Sequence, residues 1–247
     1  MVNRIAIYSS IFLTFISTHL IAGEMIHGMI EKDIDGDTVW VQSAKNRAIP
    51  DGSKGTASDN RLKIRMLGID APESHLVTPH GVVGQGKWGT DAFAYLSELI
   101  PVGVAVQVQS EGKDVYGRTL GRIFRSGDDV NLKMVESGLA ITYVICDGPG
   151  CNASFFHDQN VEAYIDACRR AQRAGKGIFD PRSPLQEMPF EFRLRMQNRA
   201  ADKYVGDYES KKLYQPKNYR QVPLCQRIFF LKEASGLALG FEATYQR

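Results

Sequence analysis

Three short blocks of this sequence carry residue types that could do chemistry together: Asp35-Gly36-Asp37-Thr38, Arg65-Met66-Leu67-Gly68-Ile69-Asp70-Ala71-Pro72-Glu73 and Asp114-Val115-Tyr116-Gly117-Arg118. Each places charged side chains at the end of a strand-like stretch. Arg65 and Asp70 flank Met66, Leu67 and Ile69, so burial of those apolar residues holds both charges at the edge of a core. Pro72 fixes the chain immediately before Glu73. The set combines carboxylates, which as oxygen ligands select calcium or magnesium, with guanidiniums, whose forked donors match phosphate oxygens. A further carboxylate beside such a cation can orient or deprotonate water. That combination suits phosphoryl chemistry.

The elements around the blocks are readable from periodicity. Residues 25–41 alternate apolar and polar, with a turn at Asp35-Gly36, and predict two strands or one bent strand. Residues 43–60, with Pro50, Asp51-Gly52 and Gly55, read as a long loop, in which Lys45, Arg47 and Lys54 could lie near the mouth of a site. Arg61 to Ile69, Val102 to Val108 and Leu120 to Phe124 read as strands. Thr90 to Leu99 reads as a helix with Phe93, Leu96 and Ile100 on one face and Pro101 as its stop. Asn131 to Glu136 predicts a short helix closed by Gly138. Asp158 to Ala174 predicts a longer one, with Val161, Ile165 and Cys168 together and Gly175 as its end. This order of strands and helices predicts a small α+β barrel.

The chain has 247 residues, 43% of them hydrophobic and 23% charged, with a formal net charge of +2. The composition excludes a disordered chain, a collagen-like repeat and a multi-pass membrane protein. Near-neutrality argues against a protein that coats nucleic acid through bulk charge, but not against a local basic cleft. Arg4 followed by the uncharged stretch Ile5 to Ala22 reads as a signal peptide over residues 1–23, cleaved near Ala22-Gly23. The rival reading is an uncleaved anchor, which the interspersed Ser9, Ser10, Thr14, Ser17, Thr18 and His19 disfavour. The expectation is therefore an exported chain, periplasmic or secreted, with no stable membrane association after cleavage.

In an exported chain, Cys146, Cys151, Cys168 and Cys225 favour disulfides over metal thiolates. Cys146–Cys151 with Cys168–Cys225 is the first choice of pairing, and Cys151–Cys168 is the rival. After Asp180-Pro181-Arg182-Ser183-Pro184 the composition shifts. Arg193, Arg195, Arg199, Lys203, Lys211 and Lys212 interleave with Tyr204, Tyr208 and Tyr214. Such a segment could bind single strands by charge and stacking, or could be a docked extension with solvated charges.

Several motifs do not survive inspection. Gly84-Gln85-Gly86-Lys87-Trp88-Gly89 matches a dinucleotide fingerprint, but Thr78-Pro79-His80-Gly81 before it do not read as a strand and no βαβ unit surrounds it. The spacing from Gly81 to Lys87 fits a phosphate loop until Trp88 stands where Ser or Thr must hold magnesium. Asp33 to Asp37 begins like a calcium hand, but Ala44 occupies the position of its bidentate glutamate.

Taken together, the three blocks in their order and spacing resemble the staphylococcal nuclease (thermonuclease) family, from about Met25 to Asp180, including Gly138-Leu139-Ala140 and Gly175-Lys176-Gly177-Ile178-Phe179. The resemblance implies a five-stranded OB-like β-barrel with three helices over residues 24–181, followed by a small basic, tyrosine-rich C-terminal extension at 182–247. It implies calcium held by Asp37, Asp70 and the Ala71 backbone carbonyl, with Asp35 as an acid behind the ligands. Glu73 is the implied general base or water-orienting residue, Arg65 and Arg118 the phosphate-holding pair, and Tyr116 and Tyr143 aromatics beside the nucleotide. The implied activity is calcium-dependent hydrolysis of DNA or RNA, or both, by a monomer, leaving 3′-phosphates. Val115 departs from the best-known member, which has a lysine there, and the Cys146–Cys151 loop replaces substrate-facing aromatics. The segment from Tyr204 to Phe241 resembles a module found after some exported nucleases. Related modules hold zinc on cysteines, and with Cys225 alone in it no structural zinc is expected here. Two other classes compete: a catalytically dead nucleic-acid-binding module, and an envelope-interaction protein whose tail carries the function.

Overall fold

The computed structural model describes residues 24–44, 60–146 and 160–245. The signal-peptide reading, the loop cations Lys45, Arg47 and Lys54, and Cys151 lie outside these described residues.

Alternation builds the barrel. In β1 (Glu24–Asp35) Ile26, Gly28 and Ile30 point inward while Met25, His27 and Met29 point out. β2 (Thr38–Ser43) buries Val39 and Val41, and β3 (Arg61–Met66) buries Ile64 and Met66. A short β4 (Ile69–Asp70) and a hairpin of β5 (Leu76–Thr78) and β6 (Gly81–Val83) follow. Then come α1 (Gly86–Leu99), β7 (Ala105–Lys113), β8 (Thr119–Arg125), β9 (Asp128–Asp129) and α2 (Val130–Glu136). Strands pair in the order β3-β2-β1-β7-β8, and β3 pairs with β8 in parallel, which closes the barrel. This is the expected five-stranded α+β barrel. β10 (Ile141–Thr142), β11 (Val144–Cys146) and α3 (Asn160–Arg173) complete it.

Two sequence expectations shift. Gly81–Val83 is a strand immediately before the glycine motif, but it belongs to an antiparallel hairpin and not to a βαβ unit. Helix α1 starts at Gly86 and buries Gly89, Ala92 and Leu96, leaving Phe93 half-buried. The reason lies at Gly89. A Cβ there would come within 2.2 Å of the Glu73 carbonyl oxygen, so the glycine lets α1 press directly on the backbone that carries Glu73. Gly84 and Gly89 of this motif serve close packing against the Glu73–Ser74 backbone, while Gly86 supplies a positive φ where the helix begins.

The C-terminal segment is built onto the barrel. α4 (Pro189–Met196), β12 (Tyr204–Asp207), β13 (Lys212–Tyr214), β14 (Arg227–Phe230), α5 (Glu233–Ala238) and β15 (Glu242–Ala243) follow in order. β14 pairs in parallel with β11, so one sheet runs from the barrel into the extension. Cys168 of α3 is bonded to Cys225, across a sequence separation of 57. That pairing matches the first choice and excludes Cys151–Cys168. A second apolar cluster of Ile141, Tyr143, Ile178, Phe190, Val205, Val222 and Phe229 fills the seam. None of the described helices is long and apolar enough to cross a membrane.

Asn131, fully buried in α2, ties the barrel to the turn after β3. Its Oδ1 accepts from the Ile123 amide at 3.0 Å, and its Nδ2 donates to the carbonyls of Leu67 at 2.9 Å and Gly121 at 3.2 Å. Asn131→Ala strands these backbone groups in a dry interior. We expect a loss of about 3 kcal/mol of stability, measured by urea denaturation.

Candidate active site

The β1–β2 turn delivers Asp35 and Asp37. A Cβ on Gly36 between them would meet the Ala71 and Ala92 methyls at 2.8 and 2.9 Å, so a glycine is what lets this turn seat against the Ala71 loop. Once seated, Asp37 Oδ2 accepts from the Ala71 amide at 3.1 Å, and Asp35 Oδ1 accepts from the Ser74 amide at 2.9 Å. Arg65 sits opposite Thr38 in the β2–β3 register, and β4 pairs Asp70 with Ile141 of β10. The Glu73 amide donates to the Gln85 side chain at 3.1 Å, and Gln85 in turn donates to the Glu187 carbonyl at 2.7 Å.

These placements converge the acids. The Arg65 guanidinium bridges Asp37 at 2.7 Å and Asp70 at 2.9 Å. Asp70 has no exposed surface, and Asp37 and Glu73 are nearly buried. Arg193, from α4 of the extension, reaches Asp70 Oδ1 at 2.8 Å and Oδ2 at 3.0 Å, and Glu73 Oε1 at 2.7 Å. The sequence reading missed Arg193. The available signal was its position three residues after Phe190 on a short helix, which puts a guanidinium on the buried face where it requires an acid partner.

The remaining expected residues fall into two groups. Arg118 lies next to Thr119, which pairs with Ile64 beside Arg65, but its guanidinium is held by Asp114 at 2.7 Å and not by the site carboxylates. Tyr116 is 77% exposed, with the Arg118 guanidinium 5.6 Å from its ring centre. Tyr143 is buried, stacked on Phe190 at 5.6 Å and tilted against Phe229 at 4.7 Å. It therefore packs beneath the extension, while Tyr116 stands open at the tip of a turn.

Electrostatics describe a site short of positive charge. Burial, then repulsion from Asp37, raises the Asp35 carboxyl. Burial pushes Asp70 up to about 6 against the pull of Arg193 and Arg65, and pushes Glu73 up to about 7 against the pull of Arg193. Asp37 adds repulsion to both. With all four ionised, Asp35, Asp37, Asp70 and Glu73 against Arg65 and Arg193 would leave an excess of two negative charges, which one divalent cation would balance. Among the described residues no three acidic, histidine or cysteine side chains make a metal cage by themselves. A cation here would need carbonyl or water oxygens to complete its shell, as hard cations commonly do.

The raised acids bind protons more tightly in the folded chain than in the unfolded one. Folding stability is therefore greatest where both are protonated and falls as pH rises from about 4 to about 7. Denaturant titrations across that range, without divalent cations, should show the decline. Glu73→Gln, which stays neutral, should shrink the decline to the share that Asp70 contributes.

Comparison with known proteins agrees with this geometry. A family model described as staphylococcal nuclease homologue matches residues 63–180. Endonuclease YhcR of Bacillus subtilis is 35% identical over 219 residues, 87% of this chain, although the chain spans 16% of that protein's length. An uncharacterized endonuclease of Haemophilus influenzae is 26% identical over 75% of this chain and 84% of its own length. One from Escherichia coli is 30% identical over 48% of this chain and 61% of its own. With the closed barrel around the Arg65-bridged carboxylates, the match identifies residues 63–180 of this chain as a domain of the staphylococcal nuclease family.

Proposed function

We propose that this chain is an exported, calcium-dependent nuclease that hydrolyses phosphodiester bonds of DNA or RNA and leaves 3′-phosphates. The observation that carries the reading is the bridging of Asp37 and Asp70 by one guanidinium with Glu73 alongside. A calcium ion fits the donor set of Asp37, Asp70 and the Ala71 carbonyl, and when bound it would supply a fixed positive charge that polarises a phosphodiester oxygen. The chain's own groups do the rest. Glu73, with its carboxyl raised to about 7, is poised to take a proton from attacking water near neutral pH. Arg65, 12% exposed at its side chain and locked between two carboxylates, presents a preorganised guanidinium to charge developing on phosphate. Arg118 joins it by exchanging Asp114 for a phosphate oxygen, a step its half-exposed pair permits. Tyr116, open at the turn, offers a ring for a base to stack on. In this reading Asp35 stays behind the ligands, fixing the Ser74 amide. The chain acts as a monomer, free of the membrane once its signal is removed.

Digestion of DNA and of RNA by the purified chain, with calcium and then with a chelator, tests the reading. Cleavage abolished by chelation supports it, and binding without cleavage overturns it. Arg65→Ala or Glu73→Ala should lower the cleavage rate by about 10² to 10⁵ while the circular dichroism spectrum stays folded. Near-wild-type rates for both would remove these residues from the mechanism.

A further inference from the structure

Arg193 lies outside the 63–180 match, yet its guanidinium touches two carboxylates of the proposed site. Its placement is built, not incidental. Helix α4 opens at Pro189, and its first turn is closed by Glu191, whose carboxylate accepts from the Met188 amide at 3.0 Å. Phe190 and Phe192 are buried, with Phe190 packed on Tyr143 and Phe229. Before the helix, the Glu187 carbonyl accepts from Gln85, and the Ser183 carbonyl accepts from Trp88 Nε1 at 3.0 Å. Gln85 also receives the Glu73 amide, so one side chain registers the extension against the loop that carries Glu73.

The guanidinium occupies both oxygens of Asp70, the carboxylate with no exposed surface. A cation binding Asp70 would have to share that carboxylate with Arg193. Arg65 also binds Asp70, but at Oδ1 alone, so it leaves Oδ2 to Arg193.

We propose that Arg193 is a positioning residue of the cleavage site: the C-terminal extension uses it as an internal counter-cation that holds Asp70 and Glu73 and sets the affinity for the divalent cation by competing for Asp70. This rests on the calcium-dependent reading above and extends it to a residue of the extension. The competition is reciprocal. Whatever Arg193 subtracts from cation affinity, the cation subtracts from the grip of Arg193 on Asp70. Held this way, the buried acids keep their geometry before the cation arrives, at the cost of a weaker cation site.

Calorimetric titration of calcium into the purified full chain tests this, comparing wild type with Arg193→Gln and Arg193→Lys. We expect Arg193→Gln to bind calcium about tenfold more tightly, the size of an ordinary coupling between two ligands of one site. Arg193→Lys, a point charge without the fork, should fall between it and wild type. If Arg193→Gln does not fold, a tighter affinity in Arg193→Lys supports the proposal and an unchanged one overturns it. Unchanged or weaker binding in a folded Arg193→Gln, while wild type binds calcium and cleaves, overturns this inference and leaves the nuclease reading standing. Failure of folded wild type to bind calcium overturns both.

Discussion

A carboxylate with no exposed surface, Asp70, is the constraint around which this molecule is arranged. An isolated charge in such a place is untenable, and the group either protonates or acquires partners. Here it acquires two guanidiniums, Arg65 of β3 and Arg193 of α4. The first is local, five residues away, and is set by the turn between β3 and β4. The second requires the whole extension to fold back over the barrel. Even so, burial, with repulsion from Asp37 and Glu73, holds the carboxyl above its ordinary range against the pull of both cations.

Backbone contacts serve that arrangement. The β1–β2 turn closes on the Ala71 loop because Gly36 lacks a Cβ, and α1 closes on the Glu73 carbonyl because Gly89 lacks one. Asn131 satisfies the Leu67 carbonyl in the turn after β3 and the Gly121 carbonyl of β8. These are close approaches with little tolerance, so the acids are held by interlocking backbone and not by their own side-chain preferences. Mutual repulsion among the acids is the cost of that rigidity, and it is the kind of stored electrostatic tension a functional site carries.

The extension is structurally inseparable from the barrel. Its β14 adds to β11, its Cys225 is tied to α3, and its Phe190 and Phe229 cover Tyr143. Much of its basic character is spent internally, as in Arg195 with Glu187, Arg220 with Glu191 and Lys203 with Asp202. The net charge of the segment therefore says less about ligands than Arg193, which is turned toward the site carboxylates.

How much was legible in the sequence follows from the range of each interaction. Strand alternation in β1 to β3, the short helix beginning at Val130 and the apolar face of α3 are local patterns of period two or 3.6, and the chain alone determined them. So were the residues of the carboxylate cluster and Arg65, because their spacing along adjoining strands and turns limits where they can go. Local pattern placed Leu96 and Ile100 of α1 in the core, but it could not show that Gly89 is buried too, because the deciding contact is with the Glu73 carbonyl in the loop before the helix. Nor could it say that Arg118 pairs with Asp114 while Tyr143 lies under Phe190. Arg193 is the clearest case. Its partners Asp70 and Glu73 lie 123 and 120 residues earlier in the chain. Only the docking of α4 brings these charges together, because burial at Asp70 rewards a second cation wherever in the chain that cation originates.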